Sequence, residues 1–234
     1  MADDPRVVRY HFRFDSGETR SFHVPLDATT LSLITQSEPA PPAWTALGHH
    51  QCPHCPLLSA THPHCPVAKA IAPAVSAFAD FVSYDDADVT VETPDRTYQK
   101  RVPVQKGMSA LLGVYMATSG CPVMDHLKPM VRFHLPFAST EETLYRAISM
   151  YLVAQLLLHE DGQPAQWSLR GLSRIYHDVQ VVNQCMVQRL QGECVGDATA
   201  NALINLDCFA AHATFQIDQA TLSELRQLFA AYLA

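Results

Sequence analysis

Four Cys-Pro steps constrain the fold of this chain more than any other feature of its 234 residues. Seven cysteines and sixteen prolines placed at random would give about half of one such step. The steps occur at Cys52, Cys55, Cys65 and Cys121, which is a C-x2-C pair followed by two single cysteines. If these cysteines act together, the fold must bring a proline-rich loop and a distant segment of the chain to one place.

The spacing predicts a metal centre held by Cys52, Cys55, Cys65 and Cys121. A C-x2-C pair lets two thiolates reach one centre across a single turn, and four thiolates complete a tetrahedral zinc site or an iron–sulfur cluster. We favour the cluster, because structural zinc sites mostly use two paired elements and because a Cys-Pro step closes the bacterial ferredoxin motif. Structural zinc is the alternative, since the ferredoxin spacing itself is absent. A metal-free thiol redox protein that uses Cys52 and Cys55 is a third interpretation.

The two single cysteines are predicted to lie at helix N-caps. Cys65 and Cys121 each precede a proline, at Pro66 and Pro122. Proline is favoured at the first helical position, where its missing N–H has no intrahelical partner anyway. A helix N-terminus carries partial positive charge and free amides, so it stabilises a thiolate over a thiol. Two helices would then direct their positive ends at one anionic centre.

Four histidines and one arginine are weaker candidates for hydrogen bonding around the ligands: His54, His64, His126, His134 and Arg132. A histidine beside a cluster would couple proton movement to electron transfer, because its pKa lies near neutrality. For Arg132 and His134, exposed positions on an extended connection are the simpler interpretation.

The remaining cysteines, Cys185, Cys194 and Cys208, lack both a following proline and a ligand spacing. The sequence predicts them to be core or surface thiols. In a reducing compartment, clustered cysteines are metal ligands or redox thiols more often than disulfides.

The patterning predicts an α+β fold, with a small N-terminal antiparallel sheet of two hairpins and a mainly helical C-terminal body. Residues 1–234 are expected to form a single metal-binding domain, with the sheet and the cysteine loop in 1–104 and the helical body in 105–234. Alternating apolar residues predict strands at 7–14, 20–26, 88–92 and 97–102. Apolar periodicity and caps predict helices at 66–82, 107–118, 122–130, 139–158, 169–190 and 198–212.

Charge and hydropathy exclude several functions. The net charge of −7 excludes a broad nucleic-acid-binding surface. The longest apolar stretch, residues 148–158, is too short to span a bilayer, so no membrane association is expected. The N-terminus is acidic where a secretory signal is basic, which favours a soluble, cytoplasmic protein. No phosphate-binding, nucleophile-elbow or H-E-x-x-H motif is present, so no reaction is assigned, and the expected partner is a redox or other protein of unknown identity.

Four segments together resemble an uncharacterised bacterial domain family. They are Cys52-Pro-His-Cys55-Pro-Leu, His64-Cys65-Pro-Val-Ala, Ser119-Gly-Cys121-Pro-Val-Met and Arg132-Phe-His-Leu-Pro-Phe137. The resemblance covers nearly the whole chain and implies one unit that contains the four Cys-Pro cysteines. It implies no function.

Overall fold

The structure is a computed structural model that describes residues 4–35, 40–193, 196–219 and 226–233, without the side chains of 213–219. Cys194 lies outside the described residues. Four strands form one antiparallel sheet in the order β2-β1-β3-β4. Their bounds are Arg6–Phe14 (β1), Thr19–Leu26 (β2), Asp86–Glu92 (β3) and Thr97–Pro103 (β4). Both predicted hairpins are therefore confirmed, and β1 joins them by pairing with β3.

The sheet buries one face, because side chains on alternate residues of a strand point to opposite sides. On β1, Val8, Tyr10 and Phe12 are almost fully buried, and Val89 and Val91 of β3 continue the same layer. This apolar face packs against the second helix, where Phe12 and Val89 meet Gly107, and against Phe78 directly after the first helix.

The helices follow the predicted order, which confirms the α+β class. Their bounds are Pro66–Ala77 (α1), Val104–Thr118 (α2), Lys128–Arg132 (α3), Thr140–Glu160 (α4), Arg170–Arg189 (α5), Ala198–Gln219 (α6) and Ala230–Leu233 (α7). Short 3-10 turns at Ala43–Thr45 and Met124–Leu127 precede α1 and α3. Within the described ranges, no helix combines the length and the apolar character that a bilayer span requires.

Helix α4 begins where the sequence predicts, at a capping box. The Ser139 hydroxyl accepts from the Glu142 amide at 3.1 Å, and the Glu142 carboxylate accepts from the Ser139 amide at 2.7 Å. The two bonds satisfy amides that have no partner inside the helix.

Helix α2 lies close to the sheet because Gly107 faces it without a side chain. A Cβ at Gly107 would come within 2.6 Å of Phe12 Cε1 and 3.0 Å of Val89 Cγ2. Phe12 is almost fully buried, so its ring has no open space to move into. The glycine therefore sets the distance between α2 and β1.

Gly107→Ala should lower the free energy of unfolding by about 1–3 kcal/mol, because overpacking forces the ring and the helix apart. The matched control is Gly113→Ala on the same helix, where the nearest atom to a new Cβ is 3.9 Å away. That change should stabilise the protein by up to about 1 kcal/mol through helix propensity. Urea unfolding of both variants measures the difference, and equal stabilities would contradict the close packing.

Candidate metal centre

A segment that includes the first 3-10 turn holds Cys65 in place. The Leu47 amide donates to the Pro63 carbonyl at 2.9 Å, and the Cys65 amide donates to the Thr45 carbonyl at 2.8 Å. The Thr45 hydroxyl also hydrogen-bonds His64 Nδ1 at 2.8 Å. The proline-rich region is thus an ordered loop that delivers Cys65 to the start of α1.

The C-x2-C pair forms a tight turn. The Cys55 amide donates to the Cys52 carbonyl at 3.0 Å, and Gln51 Nε2 donates to the Leu57 carbonyl at 3.0 Å. The second bond closes the loop on both sides of the pair. Both cysteines are partly buried and carry free thiols.

Cys65 is the N-cap of α1, with Pro66 at the first helical position, as predicted. Cys121 follows Gly120, whose φ of 86° turns the chain out of α2. Regular helical structure after Cys121 begins at Met124, two residues later than the predicted start. The Asp125 amide nevertheless donates to the Cys121 carbonyl at 2.9 Å, as in a first helical turn.

Burial raises the pKa of the Cys121 thiol, and the nearby amides of Met124 and Val123 partly oppose that shift. The side chain of an N-cap residue faces the amides two and three residues later in the chain, and the Cys121 sulfur lies in that position. Both single cysteines therefore sit at the amino end of a helical segment.

The structure brings the four Cys-Pro thiols together. All four line one small cavity of about 20 Å³, and Cys65 and Cys121 are buried. Burial raises the pKa of Cys52, and the nearby thiols of Cys65 and Cys121 raise it further. The Cys65 and Cys55 thiols act on Cys121 in the same way. Cysteines that lie far apart in the sequence are thus close enough to affect one another's ionisation.

The thiols line one small cavity but do not form a preformed ligand set for one metal ion. Among the described residues, no three His, Cys, Asp or Glu side chains are placed to hold one metal ion. Around one zinc ion, sulfurs at about 2.3 Å from the metal would lie only about 3.8 Å apart. As arranged here, the side chains do not have the geometry of a closed zinc site.

A fifth cysteine, Cys185, lies beside the four, and the sequence did not identify it as part of the site. Cys185 on α5 is buried, and its thiol is hydrogen-bonded to Cys52. It lacks a following proline, so no local pattern marks it. The only sequence signal is helical spacing, because Val182, Cys185 and Arg189 fall on one face of α5. Cys208, by contrast, is an exposed thiol.

Arg189 was also missed, and it is the largest fully buried side chain in the described part of the chain. Its Nη1 donates to the carbonyls of Trp44 and Ala46 at 3.0 and 2.7 Å, and its Nη2 donates to the Leu47 carbonyl at 2.9 Å. The guanidinium thus anchors the loop that positions Cys65, and it lines the cysteine cavity.

The positive charge of Arg189 has no acidic partner among the described residues, whose salt bridges all involve other side chains. Its Nε is buried without a hydrogen-bond partner, and so is Nε2 of His54, which lines the same cavity. A buried cation needs compensating negative charge. The cavity therefore favours an anionic occupant, and thiolates bound to a metal would be one.

Four of the five predicted neighbouring residues do not line the cysteine cavity. His126 is exposed. Arg132 lies on the surface with its Nη1 3.8 Å from Asp95. His134 instead contacts Tyr10 and lines a different, larger cavity. Of the five weaker candidates, only His54 lines the cavity. His64 hydrogen-bonds the Thr45 hydroxyl, and the Thr45 carbonyl accepts from the Cys65 amide.

Comparison with known proteins gives a family and no activity. No curated protein matches the chain, and no solved structure matches it. Residues 8–230 match the family described as "Domain of unknown function (DUF6901)". The match spans the sheet, the cysteine loop and nearly all of the helical body, which confirms the expected resemblance to an uncharacterised family. The chain therefore belongs to the DUF6901 family.

Proposed function

We propose that Cys52, Cys55, Cys65 and Cys121 hold an iron–sulfur cluster in a cytoplasmic protein that transfers electrons, senses redox state or performs catalysis at the cluster. The observation that carries the proposal is the convergence of all four Cys-Pro thiols on one small cavity. Four cysteine thiolates are the usual ligands of such clusters. The cofactor would supply reversible one-electron chemistry, and the chain would bind and shield it.

The electrostatics of the site support an anionic centre. Four metal-bound thiolates bring negative charge into a buried place, which is costly without compensation. Arg189 provides a fixed positive charge at the cavity wall, and the amino end of α1 adds the positive end of its dipole at Cys65. Hydrogen bonds and positive charge near the sulfurs also tune the reduction potential of a cluster.

The spacing of the ligands along the chain favours a cluster over a single zinc ion. Structural zinc sites mostly use two paired elements, whereas this chain has one C-x2-C pair and two single cysteines. Structural zinc has one structural observation in its favour. The four cysteines join the proline-rich loop to α1 and to the segment after α2, and such a link between separate segments is what a structural site provides.

Metal-free thiol chemistry has less support. Reactive thiols are those whose pKa is lowered, so that the thiolate exists at neutral pH. Burial and the neighbouring thiols raise the pKa of Cys52 instead. Cys52 therefore lacks the lowered pKa that the attacking thiol of a disulfide oxidoreductase requires.

Purification of the full chain without oxygen tests the proposal. We expect a brown protein with broad visible charge-transfer absorption, and iron and acid-labile sulfide in equal amounts. Reduction by dithionite should bleach the colour and produce an electron paramagnetic resonance signal. A colourless protein with one zinc per chain would overturn the cluster and establish the structural site. A protein free of metal after anaerobic reconstitution would refute both.

A further inference from the structure

A second and much larger cavity, of about 970 Å³, lies against a different face of α5 from the cysteine site. Val179 and Asn183 line this cavity, whereas Val182 and Arg189 line the other one. Helices α2, α4 and α6 supply further walls, and most of the surface is apolar. The larger apolar side chains include Met116, Met130, Leu135, Phe137, Leu206 and Phe209. Cavities of this volume and character bind small molecules.

The charged groups of this cavity are mainly positive, although the chain as a whole carries a net charge of −7. Its cationic side chains are Lys100, Arg101, Lys106 and Arg146. Arg101 is already paired with Asp15, which lies outside the lining, and Lys100 and Lys106 are exposed to solvent. Among the described residues that line the cavity, Glu142 is the one carboxylate, and it accepts a hydrogen bond from the Ser139 amide. Arg146 is therefore the half-buried cation of the wall that is available to pair with an anionic ligand.

Two backbone carbonyls hold Arg146 in place. Its Nη2 donates to the carbonyls of Met130 and Phe133 at 2.8 and 2.7 Å, which fixes the guanidinium at the cavity wall. Burial lowers the pKa of Arg146, and nearby groups that include the Glu142 carboxylate partly oppose that shift. No described carboxylate forms a salt bridge with Arg146, and its Nη1 and Nε make no hydrogen bond to a described residue. A fixed guanidinium with unused donors is suited to bind a carboxylate, often through two parallel bonds.

The other polar groups in the wall are uncharged. Burial lowers the pKa of His134 to about 3, so the ring is neutral, and its Nε2 shares a hydrogen bond with the Tyr10 hydroxyl at 2.5 Å. Burial also raises the pKa of Tyr176, which keeps its phenol protonated. Asn183 is 2% exposed, and its Oδ1 has no hydrogen-bond partner. An unpaired buried acceptor in a cavity wall indicates that a ligand donor or a bound water completes it.

We infer that this cavity binds a small amphipathic acid, with its apolar body between the helices and its carboxylate paired to Arg146. The apolar walls account for the body of the ligand, and a fixed guanidinium that forms no salt bridge with a described carboxylate accounts for the acid. The inference does not depend on the metal centre, because the two sites share no lining residue.

Calorimetric titration of the full chain with dodecanoate, below its micelle concentration, tests the inference. We expect saturable binding of about one molecule per chain. Dodecanol has the same apolar body without the charge and should bind at least about tenfold more weakly. Arg146→Gln should weaken dodecanoate binding by a similar factor and leave dodecanol unchanged. The matched control is Arg170→Gln, at an exposed arginine of α5, and it should bind like the parent protein.

Gly113→Met provides a second variant if Arg146→Gln fails to fold. Gly113 lines the cavity, and the nearest atom to a new Cβ is Leu206 Cδ2 at 3.9 Å, so a longer side chain would enter the open space. It should abolish dodecanoate binding while circular dichroism stays native. The inference is wrong if dodecanoate does not bind saturably, if dodecanol binds as tightly, or if filling the cavity has no effect.

Discussion

Cys121→Ser should abolish cofactor binding, because it removes the only one of the four proposed ligands that lies outside the proline-rich loop region. The other three lie between residues 52 and 65, so Cys121 alone connects the centre to the segment after α2. Serine has nearly the same size but is a far weaker ligand for iron or zinc. Iron, sulfide and zinc analysis after anaerobic purification should show almost no bound metal. Thermal unfolding should shift to lower temperature, since cofactor binding stabilises the folded state.

Cys52→Ser should have a smaller effect than Cys121→Ser, because Cys185 is in hydrogen-bonding contact with Cys52 and provides a spare thiol. We expect partial cofactor retention in Cys52→Ser and none in the double variant Cys52→Ser/Cys185→Ser. Cys208→Ser is the matched control, since that thiol is exposed, and it should retain the full cofactor content. Full metal content in Cys121→Ser would show that Cys121 is not a ligand.

The strands of the sheet could be predicted because each hairpin depends on residues that lie close together in the sequence. Each hairpin has alternating apolar residues on both sides of a short turn, and the observed strands differ from the predicted ones by at most two residues at either end. The pairing of β1 with β3 could not be predicted, because the segments between the hairpins carry no signal for strand order.

The predicted helix at 66–82 was too long for a physical reason. Phe78 and Phe81 continue the apolar spacing of α1, but the helix ends at Ala77. The ring centroids of Phe78 and Phe12 are 5.0 Å apart, and those of Phe81 and Phe14 are 4.5 Å apart. The aromatic contacts with the sheet thus persist after the helix ends, so an apolar pattern alone does not fix the helix terminus.

The candidate site also contains residues that a local sequence pattern identifies and residues that no local pattern identifies. The four Cys-Pro cysteines could be identified because proline and spacing mark them locally, and Cys65 occupies the predicted N-cap. Cys185 and Arg189 could not, since each acts on a loop more than 130 residues earlier in the chain. A buried arginine that donates to backbone carbonyls leaves no pattern in the sequence, because any residue offers a carbonyl group.

Arg189→Met should destabilise the protein by about 3–5 kcal/mol and release the cofactor. The change leaves the buried carbonyls of Trp44 and Leu47 without their donor, and each unsatisfied buried acceptor costs about 1–3 kcal/mol. The Ala46 carbonyl loses the guanidinium but keeps a hydrogen bond from the His49 amide. The loop would then lose the anchor that places Cys65. Urea unfolding and metal analysis measure the two effects. Arg174→Met, at an exposed position of the same helix, is the matched control and should change neither quantity by much.

Arg189→Lys separates the anchoring role of Arg189 from its charge. Lysine keeps the positive charge but lacks the planar fork that reaches three carbonyls at once. If the charge balances an anionic centre, Arg189→Lys should retain the cofactor even though its unfolding midpoint falls, whereas Arg189→Met should lose the cofactor under conditions where it remains folded. Equal loss from both variants would mean that Arg189 acts through the loop alone. Full retention in Arg189→Met would contradict any contribution of this side chain to the centre.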